Sequence, residues 1–384
     1  MPRYPDIAPS VAAVRGSVYS ALARRPASGV EPIPLHIGDT WMEPPEGCRM
    51  EDLRVEEHPG MHRYAPVAGL PALLSAIATH HGGRTGVDTS TGQVLVAAGA
   101  TGALGAAAGA LLEPGDEVLL AAPYWPLIAG IVRSFHGVPV DVPLVGEATS
   151  AAEAVVRFEA LRTERTVAVY WNTPHNPTGR LLPRDWIEAL VDWARSRELW
   201  ILADDVYEDY VYDGEHTYTR PLARERTVSV HSFSKAYGMA GNRCGYLVAP
   251  EEAVAAMRKV ATHTFYSTPT AAQLAALNAL NGAGDPWVAA ACEKYAALGR
   301  MAAERLGVEP PQGSTFLFLD VGDAAGEDGL AGFLAVCAER GVLLAPGPSF
   351  GPYPHHARLC FTAAPPDQVE RGVTILAELL GRST

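Results

Sequence analysis

The sequence predicts an α/β protein whose main sheet is joined by right-handed crossovers, with a smaller domain built from the last hundred residues. Three observations carry that expectation. From about residue 67, short apolar β-rich runs alternate with helical patterns. After Gly282 the alternation gives way to a long Ala-rich stretch and a Gly/Pro-punctuated region. The 384 residues are also too many for one ordinary core.

Taken in order, Val11, Val14, Val18 and Leu22 recur at helical spacing, so residues 10–24 predict an opening amphipathic helix. A Pro/Gly-rich connection follows over 26–45. The β-rich runs are 94–97, 118–121, 167–171, 200–203, 228–230 and 245–248. The stretch 93–112 is apolar and uncharged, yet Gly99, Gly102, Gly105 and Gly109 interrupt it. That fits a strand, a turn and a buried helix rather than a membrane span. A helix over 183–196 opens on Pro183, a residue suited to a first turn. Beyond Gly282 a long helix leads to a strand around 315–320, and the N-terminal segment is expected to join this smaller domain.

Apolar residues at 48% and charged residues at 19% describe a soluble globular chain rather than a disordered one. The formal charge of −13 argues against nucleic acid as a partner, although local arginines and helix N-termini can still hold a small anion. The five cysteines are scattered and form no Cys-x-x-Cys or Cys/His cluster, so neither a disulfide framework nor a metal site is expected. Residues 1–9 lack a basic patch followed by an apolar run. A cytoplasmic protein without a membrane partner is the resulting expectation.

Lysine is scarce, and its three positions differ. Lys259 and Lys294 lie in charge-flanked helical stretches, where a solvated role is the default. Lys235 closes Ser232-Phe233-Ser234-Lys235, directly after the run 228–230, at the carboxyl end of a strand where open α/β sheets bind ligands. Desolvation there would make it an amine nucleophile toward an aldehyde, though by itself the position also fits a surface-loop lysine. Gly99-Ala100-Thr101-Gly102 opens a helix after a strand; its free N–H groups suit a phosphate, or the glycines serve a tight steric turn. In the stretch Asn172 to Gly179, two X-Pro bonds hold Asn176 in a fixed pose. Asp204 and Asp205 end an apolar strand. Asp205 fits a helix N-cap, whereas Asp204 needs a cation or a rich set of hydrogen bonds.

The order Tyr64, Gly99-Ala100-Thr101, Pro123-Tyr124-Trp125, Asn176-Pro177-Thr178-Gly179, Asp204-x-x-Tyr207, Ser232-x-Ser234-Lys235, Arg243 and Arg358 resembles the class I/II aminotransferases of pyridoxal 5′-phosphate (PLP) fold type I. The resemblance covers nearly the whole chain. It implies a mostly parallel seven-stranded sheet in a large PLP-binding domain over 46–283. Residues 1–45 and 284–384 would form a smaller α+β domain.

By the same resemblance, Lys235 is the Schiff-base lysine, which also moves the proton between the substrate Cα and the cofactor's C4′. Asp204 pairs with the pyridine nitrogen and keeps the ring an electron sink. Asn176 and Tyr207 hydrogen-bond the ring O3′. Trp125 stacks on the ring, a position that a core aromatic fits equally well without the family context. Ser232, Ser234, Arg243 and the Ala100 and Thr101 amides hold the phosphate. Arg358 clamps the substrate α-carboxylate, with Gly38 on the substrate side. Tyr64 reaches the phosphate of the neighbouring subunit, which implies a homodimer with shared active sites.

Two places depart from the family pattern. Many members read Gly-x-Pro-Asp where this chain reads Gly38-Asp39-Thr40-Trp41. Some carbon–sulfur lyases of the same fold carry an Asp-Thr or Asp-Met pair there, followed by an acidic residue that Trp41 replaces. His263, three residues before Tyr266, stands where aspartate aminotransferases place an arginine for the side-chain carboxylate. The leading expectation is an aminotransferase acting on an L-amino acid and a 2-oxo acid. The alternative is a PLP-dependent lyase or cyclase that eliminates or replaces a β- or γ-substituent. A PLP-sensing regulator would carry a DNA-binding extension ahead of the domain, and a catalytically dead module would normally lose Lys235 or Asp204.

Overall fold

Seven strands form the main sheet: β1 (Val94–Ala97), β2 (Glu117–Ala122), β3 (Val138–Pro143), β4 (Thr166–Asn172), β5 (Trp200–Asp204), β6 (Thr227–Ser232) and β7 (Gly245–Val248). In the computed structural model they lie in the order β1-β7-β6-β5-β4-β2-β3. Strands β2 to β6 are parallel, and β7 runs antiparallel to both β6 and β1. The structure describes residues 31–382 together with Ala12, Val14, Gly16 and Gly29. Apart from Ala12, Val14 and Gly16, the opening helix expected over 10–24 lies outside the described residues.

Six of these strands follow the apolar runs of the sequence to within a residue or two. The seventh, β3, alternates Val138, Val140 and Val142, but Pro139, Asp141 and Pro143 break the apolar run that marks the other six. It occupies the sheet edge and pairs only with β2, where a missing N–H interrupts no second ladder.

Period-two alternation sorts the strand side chains onto two faces. Leu120, Tyr170, Leu202, Val228 and Val230 pack with α2 (Gly99–Leu111), α3 (Leu127–Ser134) and α6 (Glu251–Thr264). Leu119, Val169, Trp171 and Ile201 pack with α4 (Ala151–Leu161) and α5 (Arg184–Ser196). Pro183 precedes α5 rather than opening it: at ψ 143° it is extended and occupies the N-cap. Beyond β1 and β7, α1 (Pro71–Thr85) and α7 (Thr270–Asn278) cover a third apolar cluster.

A second, antiparallel sheet has β10 (His356–Cys360) between β8 (Phe316–Asp320) and β9 (Ala345–Pro346). Helices α8 (Gly284–Leu306), α9 (Gly329–Glu339) and α10 (Pro366–Leu379) pack around it. The N-terminal stretch joins this sheet. Ile33 and Leu35 are buried in its core, the Ile33 N–H donates to Gly341 O at 2.8 Å, and Leu35 O accepts from the Cys360 N–H at 2.8 Å. Among the described residues, no helix is long and apolar enough to cross a membrane.

Candidate active site

The carboxyl edge of the main sheet collects the chemistry because strand register brings the chain ends level. Asn172 pairs with Asp204, Asp204 with Val230, Ser232 with Gly245, and Gly245 with Ala97. Two glycines keep that edge open. A Cβ on Gly245 would lie 2.8 Å from His231 O and 2.9 Å from Ala100 N. Gly99 has φ +70°, and a Cβ there would lie 2.7 Å from Arg243 Nη2. A side chain at either position would close the approach to the amides that open α2.

Every residue expected at the site except Tyr64 lines one cleft: Gly38, Ala100, Thr101, Trp125, Asn176, Asp204, Tyr207, Ser232, Ser234, Lys235, Arg243 and Arg358. Asn172, Val206 and Ala240 line it too, beyond the expected set. Tyr64 sits on the surface, 87% exposed, with its ring 5.1 Å from that of Tyr266. His263, on the last turn of α6, is exposed and does not line the cleft.

Ala100 and Thr101, in the first turn of α2, line the cleft together with Ser232, Ser234 and Arg243. Arg243 adopts a left-handed conformation at φ 55°, and its Nη1 donates to Ala240 O at 2.9 Å. Lys235 lies on a single helical turn, Phe233–Ala236. The Tyr210 hydroxyl pins that turn, reaching the carbonyl oxygens of Lys235 and Ala236 at 2.9 Å each. Lys235 Nζ donates to Gly38 O and lies 4.0 Å from Asp39 Oδ1. Burial lowers the pKa of this amine, with Asp39 pulling the other way.

Asp204 and Asp205 face different surroundings. Asp204 Oδ2 accepts from the Tyr170 hydroxyl at 2.7 Å, and Oδ1 accepts from the Val206 N–H at 3.3 Å. Burial pushes the Asp204 carboxyl up to about 6, against both hydrogen bonds. Asp205 turns away to His216 Nε2 at 3.1 Å. The chain beyond it turns rather than forming a helix, so Asp205 is no N-cap.

Arg358 is 2% exposed and sits on the central strand of the second sheet. Its Nη1 donates to Asn176 Oδ1 at 3.0 Å and its Nη2 to His36 O at 2.7 Å, while its buried Nε has no hydrogen-bond partner. The rings of Phe316 and Phe350 lie 4.3 Å and 4.8 Å from its guanidinium carbon. Asn176 is held in turn by Asn172, whose Oδ1 accepts the Asn176 N–H at 2.7 Å. A Cβ on Gly38 would meet the Phe316 ring at 3.1 Å. Tyr207 is buried, edge-on to the same ring at 5.5 Å.

Sequence reasoning misses Tyr170, which stands inside an apolar strand. Its signal is periodicity, since Tyr170 and Asn172 stand two apart on β4 and therefore share a face. Among the described residues, no cluster of three His, Cys, Asp or Glu side chains is placed to hold a metal ion.

Asp204, Lys235 and Arg358 line one cleft, and the seven-stranded, mostly parallel sheet with a smaller second sheet is the architecture of the fold type I class. The family model for aminotransferase class I and II matches residues 31–376, and the chain belongs to that family. It is 32% identical over 362 residues to the aspartate/prephenate aminotransferase of Thermus thermophilus, covering 92% of each chain. It is 33% identical over 380 residues to an arginine–pyruvate transaminase of Pseudomonas aeruginosa, covering 95% of each. A solved double mutant of Thermus thermophilus aspartate aminotransferase superposes with a TM-score of 0.89 at 29% identity, over 98% of this chain and 100% of that one. These relatives are aminotransferases, and so is this chain; they give the lyase or cyclase alternative no support.

Proposed function

We propose that the enzyme moves the amino group of an L-amino acid to a 2-oxo acid, with PLP held at Lys235. The observation that carries this reading is the convergence of Lys235, Asp204 and Arg358 on one cleft. The residues present fit the cofactor. A buried carboxylate driven up to about 6 is suited to a cationic ring N–H. Two α2 amides, Ser232, Ser234 and Arg243 form a cradle for a phosphate dianion. When bound, PLP supplies an aldehyde that captures an amine and a ring that accepts the electron pair left at Cα.

The chain's own residues supply the rest. Burial leaves Lys235 poorer in protons than an exposed lysine, so its Nζ serves as the nucleophile that holds the cofactor. The same nitrogen would move the proton at the substrate Cα. Arg358 presents a guanidinium fork to the α-carboxylate, and Asn176 keeps that fork aimed. Asn176 and Tyr207 would hydrogen-bond the ring oxygen, and Trp125 would stack on the ring, all three lining the cleft. The relatives carry names as different as aspartate/prephenate and arginine–pyruvate, so the substrate class assigned is that of L-amino acids. The same reading makes the protein a cytoplasmic homodimer, with Tyr64 serving the partner's site. It divides the chain into a PLP-binding domain over 46–283 and a smaller domain from both ends.

A half-reaction screen tests the proposal. Holoenzyme is mixed singly with the common amino acids, and the 2-oxo acid and the pyridoxamine form are quantified together. Stoichiometric appearance of both is expected for at least one donor. Release of ammonia, or no reaction with any donor, would overturn it.

A further inference from the structure

We propose that Tyr170 is a positioning residue for the reaction: its hydroxyl orients the Asp204 carboxylate and favours the charged form that the cofactor ring needs. The inference rests on the reading of Asp204 as the ring partner.

Tyr170 is fully buried on β4, in an apolar cluster that its ring alone would complete. A phenylalanine of the same shape would satisfy that cluster without bringing an O–H that needs a partner. The hydroxyl instead donates to Asp204 Oδ2 across 2.7 Å, between neighbouring strands. Register explains the reach, because Tyr170 pairs with Leu202 and Asn172 with Asp204, which makes Tyr170 and Asp204 diagonal neighbours. With Oδ2 turned toward β4, Oδ1 is held by the longer bond from the Val206 N–H at 3.3 Å. The Tyr170 bond therefore sets the rotation of the carboxylate and decides which oxygen is offered to the cleft.

Other charges bear on the same carboxyl. Asp205, next along the loop, raises its pKa, and His231 on β6 lowers it. His231 is itself bonded to Glu208 at 2.7 Å. Tyr207 is the other phenol near Tyr170. The Tyr170 hydroxyl acts on Asp204 through a direct side-chain hydrogen bond. A hydrogen bond to the ionised form favours that form. Removing it makes Asp204 more basic and free to rotate, draws the ring proton toward the carboxylate and weakens the ring's pull on electrons at Cα. Arg358 is untouched, so substrate binding is preserved.

Tyr170→Phe is the test, made on the holoenzyme. The turnover number should fall roughly tenfold while KM for the amino donor stays within about twofold, the pattern of an interaction felt in the transition state. Independently of turnover, the pH midpoint of the cofactor's visible absorbance should move upward. In an Asp204→Asn background the same substitution should add no further shift, since its route of action is gone. A Tyr170→Phe enzyme with the wild-type midpoint and turnover, even if less heat-stable, would assign Tyr170 a merely structural role and overturn the proposal. So would a shift that persists undiminished in the Asp204→Asn background. Asp204→Asn alone reports on the underlying reading: an unchanged cofactor spectrum there sinks the ring-partner assignment, not the Tyr170 role by itself.

Discussion

Arg358 Nη1 donates to Asn176 Oδ1 across 3.0 Å, tying the central strand of the second sheet to the loop after β4. The two residues are 182 positions apart in the chain. On the proposed function, their contact would let a substrate clamp carried by one sheet register against a cofactor held by the other.

Arg358→Lys should therefore damage substrate binding far more than cofactor binding. An ammonium cannot donate two parallel bonds to a carboxylate while holding Asn176 and the His36 carbonyl. KM for the amino donor should rise by about one to two orders of magnitude, corresponding to roughly 1.5–3 kcal/mol for a charged hydrogen bond. PLP affinity, measured by titration of apoenzyme, should stay near wild type. Equal weakening of both would make Arg358 a phosphate or structural residue.

Lys235→Ala should abolish turnover and leave PLP bound only non-covalently. Lys259 and Lys294 lie on the helices α6 and α8 and do not line the cleft. Borohydride treatment followed by mass measurement checks this. Covalent cofactor on the Ala variant would place the attachment elsewhere.

Asp204→Asn should remove most of the activity and abolish one pH-dependent contribution to the stability of the apoenzyme. The native carboxyl titrates at about 6, above its ordinary value near 4 in the unfolded chain. A raised carboxyl supports the fold fully below the unfolded value and loses that support as pH rises through about 6. A rise of that size corresponds to about 3 kcal/mol. Relative to wild type, the apo variant should gain stability on that order between about pH 4 and about pH 8, read from thermal or urea unfolding at both. A pH-independent difference would count against Asp204 as the carboxyl that burial raises.

Tyr64 tests whether each site is built from two chains. The residue is 87% exposed, and its ring packs against Tyr266, on the surface around His62–Ala65 and 267–270. A Tyr64→Ala Lys235→Ala double variant is mixed with wild type under subunit exchange. If Tyr64 acts in trans, the single lysine-bearing site of the heterodimer lacks its tyrosine. PLP affinity there should fall by about 0.5–1.5 kcal/mol, one hydrogen bond's worth. Wild-type affinity at that site would confine Tyr64 to its own surface.

The sequence by itself determined six strands of the main sheet and the residues that end them, because both signals are local. Apolar runs specify buried strands, and a lysine, carboxylate or asparagine placed at such a run's carboxyl end is carried to the sheet edge by strand direction alone. Only the tertiary structure decided the matters that depend on neighbours. The proline-bearing β3 is a strand because it lies at an edge and answers to one partner. Asp205 meets His216 rather than capping a helix because the chain after β5 turns. The bonds from Tyr170 to Asp204 and from Arg358 to Asn176 join segments far apart in the chain. No local pattern encodes them, since a buried hydroxyl or guanidinium takes whatever acceptor the packing of other strands brings within reach.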